Sequence, residues 1–168
     1  IVPQSNMRHI EFWGAGFSEG WFTNSTGPIM VMYDGLKPEV PPVHPQDTLG
    51  EVKFEDPPTP KPYTTMPLGE PMEWLFEGIA FHNVHIHVSP FQIYNFTGES
   101  DTWSQVGDWQ DTLILPLAKC AVVDTPCLAA NAVIFPAGKV VIRFWTDQFP
   151  GPYVSHCHLL THEDEGMM

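Results

Sequence analysis

Short runs of apolar and polar positions recur along the chain, and turn-forming residues separate them. Residues 8–13 and 29–33 are apolar with β-branched or aromatic content, and further runs occupy 72–78, 84–96, 111–117, 132–135, 139–146 and 153–158. Gly98, Gly107, Gly138 and Gly151 punctuate them. Short strands at regular spacing, bounded by turn signals, predict an all-β chain folded as a β-sandwich. One interval differs. Residues 37–71 carry Pro38, Pro41, Pro42, Pro45, Pro57, Pro58, Pro60, Pro62, Pro67 and Pro71. Proline has no N–H to give to a ladder, so this interval is expected to run as an extended arm or surface loop. A short helical turn is expected around residues 160–165, and no internal repeat is present.

Alternation also sorts the chemistry-bearing residues. In the run Phe81-His82-Asn83-Val84-His85-Ile86-His87-Val88, the apolar Val84, Ile86 and Val88 alternate with His85 and His87. Side chains of a strand point to opposite faces in turn, so His85 and His87 share one face and His82 takes the other. The same parity in residues 153–158 turns Cys157 to one side and His156 and His158 to the opposite side. Two sets result. His82 and Cys157 form one, and His162 and Met167 join it from the segment beyond; His85, His87, His156 and His158 form the other. Two imidazoles, a thiolate and a weak axial thioether are the ligand set of a blue, electron-transferring copper. Zinc also accepts His and Cys. Two His-x-His pairs on separate strands, with a Cys between two His, do not suit one closed tetrahedron. Met168 is the other candidate for the axial position, and the spacing favours Met167. His9 and His44 have no second His nearby and read as ordinary surface or core residues.

These residues resemble the C-terminal cupredoxin domain of the multicopper oxidases, the group of laccases, bilirubin oxidases and cuprous oxidases. The likeness is carried by His82-Asn83-Val84-His85-Ile86-His87, with Asn83 where the family usually has Pro, and by His156-Cys157-His158 followed at family spacing by His162 and Met167. Trp109-Gln110-Asp111-Thr112, Val141-Ile142-Arg143-Phe144 and Phe149-Pro150-Gly151 are also similar to the family. The resemblance covers residues 70–168 well and 8–69 loosely. It implies a cupredoxin-like Greek-key β-sandwich, one C-terminal domain over residues 1–168. It implies type 1 copper on His82, Cys157 and His162 with Met167 axial, type 2 copper on His85, and the type 3 pair on His87, His156 and His158. Electrons taken singly from a reducing substrate would pass through Cys157 to its flanking histidines, and after four transfers dioxygen would leave as two waters. Such a cluster needs twice the imidazoles of this set, so the chain is expected to dock against another cupredoxin domain, from its own precursor or a partner subunit. Glu163 directly follows His162 and is either a proton relay, as the family implies, or one of three solvated acids with Asp164 and Glu165.

Composition narrows the setting. At 168 residues and 43% hydrophobic content, the chain is one globular domain of ordinary size. No apolar run approaches the length of a membrane span. Seven basic against 20 acidic residues leave a net charge of −13, which argues against nucleic acid as a partner. The same charge attracts cations at long range, although an acidic surface is also ordinary for a soluble secreted protein. Cys120 and Cys127 flank a turn-like segment and are expected to pair in an oxidising compartment. The sequons Asn24-Ser25-Thr26 and Asn95-Phe96-Thr97 also point to secretion. The chain begins Ile1-Val2-Pro3-Gln4 and stops just after the expected axial Met, so both ends are expected to be cut ends of a larger protein. The alternatives are an electron-transfer cupredoxin, which leaves the second histidine set unexplained, and a copper-free structural or assembly subunit, which leaves both sets unexplained. The sequence leaves the reducing substrate open between a phenol and a metal ion.

The axial assignment is testable on its own. Met167→Leu is expected to raise the potential of the blue copper, because losing a thioether donor destabilises Cu(II). The blue colour is expected to survive, since His82, Cys157 and His162 remain. Voltammetry showing a lower potential would count against Met167 as the axial group.

Overall fold

Among the described residues, alternating runs become ten strands and one short helix in the structure, a computed structural model. It describes residues 1–13, 29–34, 51–52, 65–78, 80–99, 104–118, 137–146 and 149–164, with the backbone alone for 11–13, 29–34, 51–52 and 164. The strands are β1 (Met7–Trp13), β2 (Ile29–Asp34), β3 (Glu51–Val52), β4 (Pro71–Gly78), β5 (Asn83–Ile86), β6 (Phe91–Phe96), β7 (Trp109–Gln110), β8 (Thr112–Ile114), β9 (Val140–Trp145) and β10 (Ser155–Cys157). A 3-10 turn at Gln4–Asn6 precedes them, and the helix α1 is Leu160–Asp164. Seven strands form one sheet in the order β3-β2-β1-β4-β9-β6-β7, and three form another in the order β10-β5-β8. Only the β1–β4 pairing is parallel among these described ladders.

Period-two burial explains the core. Met72, Trp74 and Phe76 of β4, Val140, Ile142 and Phe144 of β9, and Phe91 and Ile93 of β6 turn one face of the large sheet inward. Val84, Ile86, Leu113, Leu115 and Cys157 come from the small sheet and its borders, and all belong to the same cluster. Trp74 meets Phe144 edge-on at 5.1 Å between ring centroids. Each large side chain buried this way stabilises the fold by about 1.5–3 kcal/mol. The opposite face of the large sheet carries an ion pair. Arg143 Nε and Nη2 both donate to Glu73 Oε2 at 2.7 Å, and its guanidinium lies 3.3 Å from the Tyr94 ring centre. Cross-strand register puts Glu73 and Gln92 opposite Arg143.

Three expectations are corrected. Residues 84–96 are two strands in different sheets, not one. Pro90 cannot donate to a ladder and biases Ser89 to an extended conformation, so pairing stops there. Val88 has φ 73°, and the Ser89 N–H donates to the His87 carbonyl at 2.9 Å, closing a γ-turn. The last strand is Ser155–Cys157 instead of 153–158; Gly151 and Pro152 precede it, and Val154 contributes only its carbonyl, which accepts from the His87 N–H. Within the proline-rich interval, Glu51–Val52 pairs with β2 as β3, in the proline-free stretch between Pro45 and Pro57. The remaining expectations at 37–50, 53–64 and 132–135, with Asn24, Cys120, Cys127 and Met167, lie outside the described residues.

The expected strands at 72–78 and 139–146 and the helical turn at 160–165 appear within a residue or two of their bounds. Close approach fixes one further corner. A Cβ at Gly138 would run into the Thr97 carbonyl, so only glycine lets these backbones meet. Among the described residues no helix is long and apolar enough to cross a membrane.

Val88 offers a stability test. A β-branched residue at left-handed φ costs about 1–2 kcal/mol, and glycine's extra unfolded-state entropy takes back about 0.5–1 kcal/mol. Val88 is half exposed, so little burial is lost. Val88→Gly is expected to stabilise the fold by roughly 0.5–1 kcal/mol in denaturant titration. A destabilisation of that size would contradict the strained turn.

Candidate metal centre

The register of two neighbouring strands builds the site. β5 and β10 pair antiparallel, with Cys157 opposite Val84 and His156 opposite His85. Val84 and Ile86 face the core, so Cys157 faces it too, and its side chain is fully buried. His82 lies just ahead of β5 and keeps the parity of Val84 and Ile86; it is likewise fully buried. After β10 the chain turns into α1, where His162 N–H and Glu163 N–H both donate to the Leu159 carbonyl at 2.9 Å. This turn folds His162 back over the thiol.

Cys157 Sγ lies 3.4 Å from His82 Nδ1 and 3.6 Å from His162 Nδ1. The two imidazole rings are 4.9 Å apart and tilted by 44°. A metal ion bonded to nitrogen at about 2.0–2.1 Å and sulfur at about 2.3 Å leaves N···S edges of about 3.5–3.8 Å. The observed edges are close to that, and all three donor atoms lie within 4.8 Å of one another. The donor set therefore fits an ion held by two imidazoles and a thiolate. Burial, with the neighbouring His162 adding to it, lowers the His82 pKa to about 3. His82 is neutral at physiological pH, the form in which an imidazole ligates a metal. Burial pushes the Cys157 thiol up, with backbone hydrogen bonds from Leu159 and Asn83 opposing and the Glu163 charge adding. Metal binding must take the proton from this thiol.

A second group sits on the other face of the same strands. The donor atoms of His85, His87 and His156 also lie within 4.8 Å of one another. His87 Nε2 and His156 Nε2 are 3.1 Å apart, and the rings of His85 and His87 are 4.8 Å apart. His85 is partly exposed and His87 exposed, while His156 is buried. Burial lowers the His156 pKa, against the opposing effect of its Nδ1 contact to the Cys157 carbonyl at 3.3 Å. His158 stands on this side with its ring 5.4 Å from His156 and 5.5 Å from His85, but it is exposed and outside the tight group of three. Its N–H donates to the Asn83 carbonyl at 2.6 Å, which binds β10 to β5 just beyond the point where the two groups part to opposite faces.

Glu163 Oε2 lies 3.4 Å from His156 Nδ1, so this acid is next to His162 in sequence and beside His156 in space. His9 is a buried member of the large sheet, with Nε2 2.9 Å from Glu77 Oε1; Lys139 Nζ is 2.9 Å from Glu77 Oε2. His44 and Met167 lie outside the described residues. Thr112 and the carbonyl of Asp111 are additions that sequence reasoning did not assign: both are 2.9 Å from His85 Nδ1. Their stretch was visible as a motif, but its contact depends on β5–β8 register, which nothing local in the sequence encodes.

A buried thiol flanked by two imidazoles, backed by an imidazole cluster on the opposite face, defines a copper-oxidase type of domain. The family model for multicopper oxidases matches residues 37–168, and the chain belongs to the multicopper oxidase family. It is 30% identical over 88 residues to an iron transport multicopper oxidase of Gibberella zeae, covering 52% of this chain and 12% of that protein. Among solved structures it is similar to a laccase from Pediococcus acidilactici, with 24% identity, a TM-score of 0.46, and 68% of this chain and 21% of that chain covered. It is also similar to a multicopper oxidase from the hyperthermophile Aquifex aeolicus, with 19% identity, a TM-score of 0.47, and 97% of this chain and 28% of that chain covered. The chain thus spans between 12% and 28% of the length of these relatives.

Proposed function

We propose that this chain is the C-terminal, Greek-key cupredoxin domain of an enzyme that oxidises a reducing substrate one electron at a time and reduces dioxygen to water. His82, Cys157 and His162 would hold type 1 copper, with Met167 as axial ligand. His85 would hold type 2 copper, and His87, His156 and His158 would bind the type 3 pair. Copper, cycling between Cu(I) and Cu(II), would supply one-electron transfer at the thiolate site and deliver electrons to dioxygen at the imidazole set.

The observation that carries this reading is the shared strand. Cys157 and His156 are adjacent in β10 yet belong to opposite groups, so the two groups are joined by a short covalent path. The buried apolar surroundings of Cys157 exclude water and leave little room for rearrangement when charge changes at the site. The neutral state of His82 removes a competing proton. Glu163, at 3.4 Å from His156 Nδ1, would orient that ring and pass protons toward dioxygen. Four electrons and four protons are consumed per dioxygen, giving two waters.

The outward group supplies half of the imidazoles of a trinuclear cluster. The other half would come from a further cupredoxin domain, upstream in the same protein or in a partner subunit, laid over this face. The reducing substrate is a small organic reductant or a metal ion. A paired Cys120 and Cys127, a glycan on Asn24 or Asn95, and an extracytoplasmic location belong to the same reading. Asn95 is exposed on β6, where a sugar would meet no obstruction from the core. An electron-transfer cupredoxin is disfavoured because it gives the group of His85, His87 and His156 no task.

Cys157→Ser is the direct test, made in the full-length, copper-loaded protein. The parent is expected to be intensely blue through charge transfer from thiolate to Cu(II), and the variant is expected to lose the colour and substrate oxidation together. A blue, active Cys157→Ser protein would sink the assignment.

A further inference from the structure

We infer that Thr112, acting with the main-chain carbonyl of Asp111, is a positioning residue that fixes the ring form of His85. The inference rests on the proposed second copper site. A carbonyl oxygen can only accept a hydrogen bond. With Asp111 O at 2.9 Å, His85 Nδ1 must therefore be the donor and carry the proton. The Thr112 hydroxyl oxygen, also at 2.9 Å, accepts from the same N–H. In a neutral imidazole the remaining lone pair is then on Nε2, the nitrogen left to take a metal. Which ring nitrogen can take a metal is set by the hydrogen bond the other one makes.

The clamp is built from register. β5 and β8 pair antiparallel with His85 opposite Thr112, which puts both side chains on one face. The Asp111 carbonyl accepts a second hydrogen bond from the Ile86 N–H at 3.0 Å, so both of its lone pairs are used and its direction is held by the sheet. Thr112 is β-branched and stiff at χ1, so its hydroxyl is held at the ring by the strand itself. A free histidine side chain in water prefers its proton on Nε2, the opposite form. Without the clamp, the ring would spend much of its time with the wrong nitrogen protonated. His85 is partly exposed, so no surrounding core supplies that restraint.

Thr112→Val and Thr112→Ser separate the hydroxyl from the shape of the side chain. In the full-length, copper-loaded protein, Thr112→Val is expected to keep the blue band of the Cys157 site, which reports correct folding and loading. Copper at the imidazole set, followed by its electron paramagnetic resonance signal, is expected to be stripped by about tenfold less chelator. Thr112→Ser restores most of the retention, because it keeps the oxygen. In metal-free protein labelled with nitrogen-15 only in histidine rings, long-range proton–nitrogen spectra are expected to show the parent His85 in the Nδ1–H form and Thr112→Val in a mixture of forms. A Val variant that holds this copper as tightly as the parent, or a parent His85 in the Nε2–H form, would overturn the inference. A blue parent protein that binds no copper at the imidazole set would overturn both this inference and the proposed function beneath it.

Discussion

The antiparallel register of β5 against β10 is the constraint on which the rest depends. It sets Cys157 opposite Val84 and His156 opposite His85. Because a strand alternates faces, that one choice commits Cys157 and His82 to the interior and His85, His87 and His156 to the opposite side. A slip of β10 by one residue would turn Cys157 outward and His156 inward, burying an imidazole where the thiol belongs. The apolar partners hold the register. Val84 and Ile86 are fully buried in the same cluster as Cys157, and shifting the strand would expose both. The hydrogen bond from His158 N–H to Asn83 O pins the end of the pairing.

The two faces give the same residue types different physics. Inside, the apolar cluster disfavours charge, which keeps His82 neutral and resists ionisation of Cys157 until a cation is there to compensate it. Outside, the imidazoles depend on local partners for orientation. Asp111 and Thr112 fix His85, and the Cys157 carbonyl with Glu163 engages His156 Nδ1. The interior group is thus held by packing and the outer group by hydrogen bonds. Residues contributed across the outer face would complete it without disturbing the core.

The division of His and Cys between faces was legible in the sequence because it needs only period-two alternation within each short segment. The contact of His82 with Cys157 does not follow from alternation alone, because it requires β5 and β10 to be neighbours, whereas His162 reaches the thiol through the local turn into α1. The break between β5 and β6 was written in Ser89-Pro90 but masked by the apolar residues on either side. Its consequence, that β5 and β6 enter different sheets, depends on tertiary pairing. The parallel pairing of β1 with β4 and the contact of Thr112 with His85 were invisible for the same reason: strand neighbours far apart in sequence leave no local pattern. His158 shares the parity of His156, yet parity alone does not say that its ring stands outside the tight group.

X-ray absorption at the copper edge, on protein loaded with a single equivalent of copper, tests the central claim most directly. If the interior of β5 and β10 forms the stronger site, the first copper bound has one sulfur and two imidazole nitrogens as its nearest strong scatterers. A first copper surrounded by imidazole alone, with no sulfur, would contradict the account, because the outer group would then be the primary site and Cys157 a core residue.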